Sequence, residues 1–184
     1  EIGTADSRGF VKALIDNASV MLTGGDLVVQ ASSSPEITSW TIAGTGQVSK
    51  SDSVSVGLSG AGAGNTNSLA VDTLAAITGT ASVTTDKSVI VSATDESKVD
   101  SNAGGAGLGI ALGGSAAIGV TVGAARNVIN VTNSAQALID SANVTAGGDL
   151  VVRSLSNQNI YALAFGVALN VAAATGSAGV SGAG

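Results

Sequence analysis

Cysteine and histidine are both absent from this chain, and those two absences exclude whole classes of chemistry. Without Cys there are no disulfides and no thiolate metal sites. Without His the usual general base and the commonest metal ligand are missing too. Aromatics make up 2% of the 184 residues, proline occurs once, and charged residues reach only 11%, against about a quarter in ordinary globular chains. That low charge, combined with 45% apolar residues, is the reverse of a disordered composition. The net charge of −6 carries no basic cluster, which argues against nucleic acid and against anionic membrane surfaces as partners. Glu1 shows neither an initiator Met nor a signal-peptide pattern, so a processed product or an excised fragment is expected.

What is present is repetition. Residues 13–31 read ALIDNASVMLTGGDLVVQA, residues 137–154 read ALIDSANVTAGGDLVVRS, and a fainter copy, AITGTASVTTDKSVIVSA, occupies 76–93. Ala18-Ser19-Val20 maps onto Ala81-Ser82-Val83 at an offset of 63 and onto Ala142-Asn143-Val144 at 124, which sets a unit of about 62 residues. The stretch 53–77 lies over 115–139 at an offset of 62. The whole chain, 1–184, therefore reads as a single domain of three repeats. Their approximate bounds are 11–73, 74–134 and 135–184, with the last continuing into 1–10 of a following copy.

Within each unit the pattern has period two, which marks strands. Leu163, Phe165, Val167, Leu169 and Val171 share one face, and Ala162, Ala164, Gly166, Ala168 and Ala172 share the other, with Asn170 the polar exception. Leu27-Val28-Val29 and Val89-Ile90-Val91 are short β-branched runs bounded by turn residues, and Gly24-Gly25-Asp26 and Gly147-Gly148-Asp149 mark places where the chain must corner. No segment shows capped helical periodicity. The expected fold is all-β, a parallel β-helix (β-solenoid) of strands about five residues long, six or so to a unit and two coils to a repeat. Ile15, Val20, Leu27, Val29, Ile77, Val83, Val89, Val91, Ile139, Val144, Leu150 and Val152 hold equivalent positions and are expected to stack inward.

Candidate chemistry is sparse. The GGD corners invite comparison with calcium-binding nonapeptides, but the third Gly is missing and the middle unit substitutes Thr85-Asp86-Lys87-Ser88, which places a cation where an ion would sit. Asp16 and Asp140 share a repeat position that Thr78 fills in the middle unit. Lying two repeats apart, they are expected to be turn residues rather than a catalytic pair. Lys12, Lys50, Lys87 and Lys98 are the only bases that could activate a hydroxyl, and they are scattered. No catalytic, cofactor-binding or metal residue is assigned, and no enzyme activity is expected. The uncharged runs 101–125 and 154–184 are long enough to scan as membrane spans. They are Gly-rich with period two, and Gln47–Asp52, the first unit's counterpart, is polar, so no membrane insertion is expected. The silk-like run Ser59 to Gly64 and the run Gly104 to Gly114 fit either a flat lateral contact or a tight interior.

The unit A-x-I-D-x-A-x-V-x-x-G-G-D-L-V-V, followed by a Gly/Ala-rich alternating stretch, resembles repeats of very large bacterial surface and secreted proteins. These are the filamentous-haemagglutinin-like adhesins, autotransporter passengers and leukotoxin-like giant repeat proteins. The resemblance covers the whole chain and implies an extracellular or cell-surface β-helix in a stalk, adhesin or fibre. It brings no site residues. The leading expectation is a structural repeat module of an extracellular bacterial fibre or surface stalk, partnered by itself through end-to-end coil stacking, with lateral self-packing besides. Head-to-tail joining keeps the phase: Gly64 to Ile77 is 13 residues, and Gly184 to Ile15 of a second copy is 15. An adhesin or toxin passenger binding a cell-surface ligand is the alternative. Ice or polysaccharide binding would want regular Thr-x-Thr ladders, and only isolated ones such as Val83-Thr84-Thr85 occur.

Overall fold

The computed structural model of the chain describes residues 8–183, with the side chains of 177–182 left aside. Of the described residues 83% are strand and none are helical. The first repeat supplies β1 (Gly9–Asp16), β2 (Ser19–Leu22), β3 (Leu27–Ser33), β4 (Glu36–Ser51) and β5 (Val54–Leu69). The second supplies β6 (Val71–Thr78), β7 (Ser82–Thr85), β8 (Val89–Gly113) and β9 (Ala116–Val131). The third supplies β10 (Ser134–Asp140), β11 (Asn143–Ala146), β12 (Leu150–Ala173) and β13 (Gly176–Ala183). Residues 34 and 35 separate β3 from β4, whereas β8 runs unbroken at the corresponding place. Pro35, which has no N–H for a ladder, sits in that gap, and its carbonyl still accepts the Lys98 N–H at 2.9 Å.

Pairing joins equivalent strands of different repeats. The sheets are ordered β1-β6-β10, β2-β7-β11, β3-β8-β12 (with β4 also on β8) and β5-β9-β13. Where the register is defined it is parallel. Ile15 faces Ile77, which faces Ile139, and Val20 faces Val83, which faces Val144. Gly79-Thr80-Ala81 is one residue longer than Asn17-Ala18, so β2 meets β7 at an offset of 63. The next corner is one residue shorter, which returns β3 and β8 to 62. Two expectations need correction here. Each repeat adds one layer of strands to each sheet, about 4.8 Å from the next, with β3 and β4 together making the first repeat's layer on β8, rather than two layers per repeat. And several strands reach 16 to 25 residues rather than five, because the alternation continues through the Gly/Ala-rich stretches without a breaking residue.

The chain forms two compact units, each drawing one segment from every repeat. The first comprises Glu1–Ile37, Ser68–Val99 and Asn130–Ile160. Its core is the stack of Val29, Ala31, Ala75, Ile77, Ala81, Val83, Val89, Val91 and Ala93, flanked by half-buried Ile15, Val20, Leu27, Ile139 and Val144. Ten of the twelve expected core positions thus lie in or against it. Leu150 and Val152 do not, being 51% and 45% exposed. Their strand β12 has β8 on one side only.

The second unit comprises Thr38–Asn67, Asp100–Ile129 and Tyr161–Gly184. Its interior is made of small and polar side chains. Ser55, Gly57, Ser59, Ala63, Ser101, Ala103, Gly105, Gly107, Gly109, Ala111, Ala117, Gly119, Thr121 and Gly123 are all buried. A Cβ added to Gly107 would lie 2.8 Å from Thr121 Cγ2 and 3.0 Å from the Val122 carbonyl oxygen, and one on Gly105 would overlap the Ala124 carbonyl. At these positions the opposed strands approach more closely than any side chain permits. The larger apolar residues of the period-two pattern therefore point outward, including Leu163, Phe165, Val167, Leu169 and Val171.

Candidate functional site

Corners are where the carboxylates of the first unit gather. Gly24 has φ +87°, and its N–H donates to Asp86 Oδ1 at 2.8 Å. Asp26 Oδ1 accepts the Ser88 N–H at 2.9 Å, and the Asp149 N–H donates to Ser88 Oγ at 3.2 Å. Each of these bonds joins one repeat to the next, so Asp26 and Asp86 cap backbone N–H groups of a neighbouring corner. Among the described residues no group of three His, Cys, Asp or Glu side chains converges as a metal ion would require.

Asp16 and Asp140 both align with Thr78. They are separated by two strand spacings, about 9.6 Å, and so are closer together than two coils per repeat would have put them. The Thr78 hydroxyl donates to Asp16 Oδ1 at 2.9 Å, and Asn17 Nδ2 donates to Asp16 Oδ2 at 2.9 Å. Asn17 Oδ1 in turn accepts the Thr80 N–H at 3.0 Å. Asn17, Gly79 and Ser141, with φ of 51°, 70° and 56°, form a column of left-handed residues at this corner. The geometry is that of a turn.

The lysines remain apart. Lys98 Nζ lies 2.7 Å from Glu36 Oε1 in an exposed pair, and Lys12 Nζ stands 4.8 Å from the Phe10 ring centroid.

Sequence reading missed two interior polar clusters. In the first unit Asp95 is completely buried. It accepts hydrogen bonds from Ser33 at 2.8 Å, Ser97 at 2.9 Å and Asn133 at 3.0 Å. Asn133 Oδ1 accepts the Val71 N–H at 3.0 Å, which ties the cluster to the next strand. Ser33 and Ser97 are more than nine-tenths buried. A substrate cannot reach either hydroxyl, so this carboxylate with its serines holds strands rather than attacking a bond. In the second unit Ser39 and Ser101 bond at 3.1 Å, and both accept from Asn65 and Asn67 at 2.7–3.0 Å. Ser101 donates to Asn127 Oδ1 at 2.6 Å. The signal that could have located the first cluster is Ser33 and Asp95, a polar pair recurring at one repeat position on the inward parity of its strands.

Among the described residues two surfaces stand out, beside the exposed Val54, Val56, Leu58, Ile118 and Val122 of β5 and β9. One is backbone: β1, β2 and β3 on one side of their sheets, and β10, β11 and β12 on the other, each pair through one edge only. The other is the outward face of β4, β8 and β12 in the second unit. Trp40, Ile42 and Val48 are 69%, 74% and 69% exposed there, accompanied by Leu108, Phe165 and Leu169. Comparisons with protein-family models, with curated proteins and with solved structures returned no match.

Proposed function

We propose that this chain is a structural repeat module of an extracellular bacterial fibre or surface stalk. In this reading it is wound as a parallel β-helix with one coil per repeat, and it lengthens by stacking terminal coils on those of a further copy. The supporting observation is the strand order: in every sheet equivalent strands of successive repeats lie side by side, and among the described residues the outer strands pair through one edge only. An open parallel edge is a template for the same strand of another copy. The repeat supplies a matching edge at its other end, and the corner bonds from Gly24 to Asp86 and from Ser88 to Asp26 already join successive coils. The extracellular placement rests on the resemblance of the repeat to those of bacterial surface proteins.

Negative-stain microscopy and fibre diffraction test this. Filaments should appear, with a 4.8 Å meridional reflection and about 14 Å of rise per chain from three coils. Covalent tandem copies should gain stability with each copy added, as stacked repeats do. Monomers at every concentration, together with tandem copies that unfold as independent modules, would overturn the reading.

A further inference from the structure

We infer that the outward face of β4, β8 and β12 in the second unit is a lateral interface onto the same face of a second copy, and that it becomes effective only along stacked chains. The inference rests on the fibre reading above and names the partner and the contact.

The starting point is the inverted side-chain order of this unit. Its interior is filled by Gly, Ala, Ser and Thr with a few Asn, and Trp40, Ile42, Val48, Leu108, Phe165 and Leu169 lie outside it. These six are between 41% and 74% exposed. The tip of the Phe165 ring reaches over Gly104, where any Cβ would overlap it. A run of large apolar groups on one sheet face is the kind of patch that soluble proteins keep for a partner.

Charge selects the partner. The second unit contains four charged residues, Lys50, Asp52, Asp100 and Arg126, which balance. The net −6 of the chain therefore belongs entirely to the first unit. Two copies meeting through their second units bring together units of zero net charge. A basic partner would be drawn to the first unit, and an anionic membrane would meet a single outward cation on this face, Lys50 at the end of β4. A second copy also offers the same strand spacing, so side chains can interdigitate row by row as in a dry steric zipper.

Area sets the condition. From Trp40 to Val48 the face extends about 30 Å along the strands and about 14 Å across three of them, roughly 400 Å² per copy. Stable interfaces bury about 800 Å² per partner. One pair of chains falls short, two stacked chains reach the threshold, and three exceed it. Lateral packing should therefore follow end-to-end growth and not precede it.

The test compares one copy with three covalently joined copies by sedimentation velocity and negative stain, with Leu108→Lys/Leu169→Lys as the disrupting pair. Both residues point outward, so circular dichroism and melting should match the parent. Val48→Lys provides an independent disruption of the same face should the pair fail to fold. Single chains should stay laterally unpaired. The three-copy form should pair side by side, and either charged variant should weaken that pairing at least tenfold without changing axial rise. Undiminished pairing in folded variants overturns the inference. So does equal pairing of one and three copies, or flotation of the three-copy form with phosphatidylcholine vesicles in place of self-pairing. Because the copies are joined covalently, failure of spontaneous end-to-end growth would count against the fibre reading and leave this readout intact.

Discussion

Ser33 Oγ donates to Asp95 Oδ1 at 2.8 Å, joining inward residues at the same position of adjacent repeats. The carboxylate also accepts from Ser97 and Asn133, so removing it strands several buried donors at once. Asp95→Ala should destabilise the chain by on the order of 2–3 kcal/mol. Asp95→Asn keeps one acceptor; the serine hydroxyls can turn to accept from its NH₂, but the Asn133 amide N–H cannot, so this variant should fall between Ala and the parent. Urea unfolding decides it, and an Ala variant with the parent's midpoint would remove the cluster from the account of stability.

The core ladder carries a graded prediction. Val83 is 1% exposed and Val152 45%, although the repeat places both on the core-facing parity. Val83→Ala should cost about 2 kcal/mol from two lost methylenes and the space they leave. Val152→Ala should cost under about 1 kcal/mol in the single chain. In two joined copies a further coil would cover β12, and the Val152→Ala cost should rise toward that of Val83. Equal costs in the single and the joined forms would argue against coil-on-coil stacking.

Left-handed residues at the first corner make a separate case. Ser141 has φ 56° and Gly79 has φ 70° at the equivalent position. A side chain at such a φ costs about 1–2 kcal/mol, and Gly recovers part of that. Ser141→Gly should raise the melting temperature by about 1–3 °C. Gly79→Ala should lower it by more, since its Cβ would also overlap the Asn17 side chain. A fall in melting temperature for Ser141→Gly would show that the corner is held by the Ser141 hydroxyl instead.

These positions show what was legible in the sequence. The repeat length, the all-β class and the equivalences Val20, Val83, Val144 and Ile15, Ile77, Ile139 follow from spacing alone, because a parallel ladder between repeats aligns like with like. How many strands a repeat adds to each sheet was not legible, since period two reports alternation within a strand and not where a strand ends. Burial of Leu150 and Val152 failed for a related reason: pattern assigns parity, while cover depends on a neighbouring strand. The direction of the second unit's faces failed because large apolar residues normally mark the interior, and here the close approach at Gly105 and Gly107 reverses the rule. Asp95 passed unnoticed because its partners lie 62, 2 and 38 residues away.

The reversal at the Gly-rich strands gives the sharpest contrast. Gly62 and Gly105 sit in runs that look alike, GAGAG and AGGAGLG. Gly62 is exposed and a Cβ there meets nothing within 4 Å, whereas one on Gly105 would strike the Ala124 backbone. Gly62→Ala should be neutral or stabilising by about 0.5–1 kcal/mol, through the reduced entropy of the unfolded chain. Gly105→Ala should destabilise by 2 kcal/mol or more, on the order of an overpacked core, because backbone cannot step aside as a flexible side chain can. Ser59 supplies the complement. Its Oγ is buried in the same interior with no hydrogen-bond partner in the protein, so Ser59→Ala should stabilise by about 1 kcal/mol as an unmet desolvation cost disappears. Thermal and urea unfolding of the three variants separate a thin, closed interior from an open one. In an open interior Gly105→Ala would behave like Gly62→Ala, and Ser59→Ala would lose a hydroxyl already satisfied by solvent, with no gain.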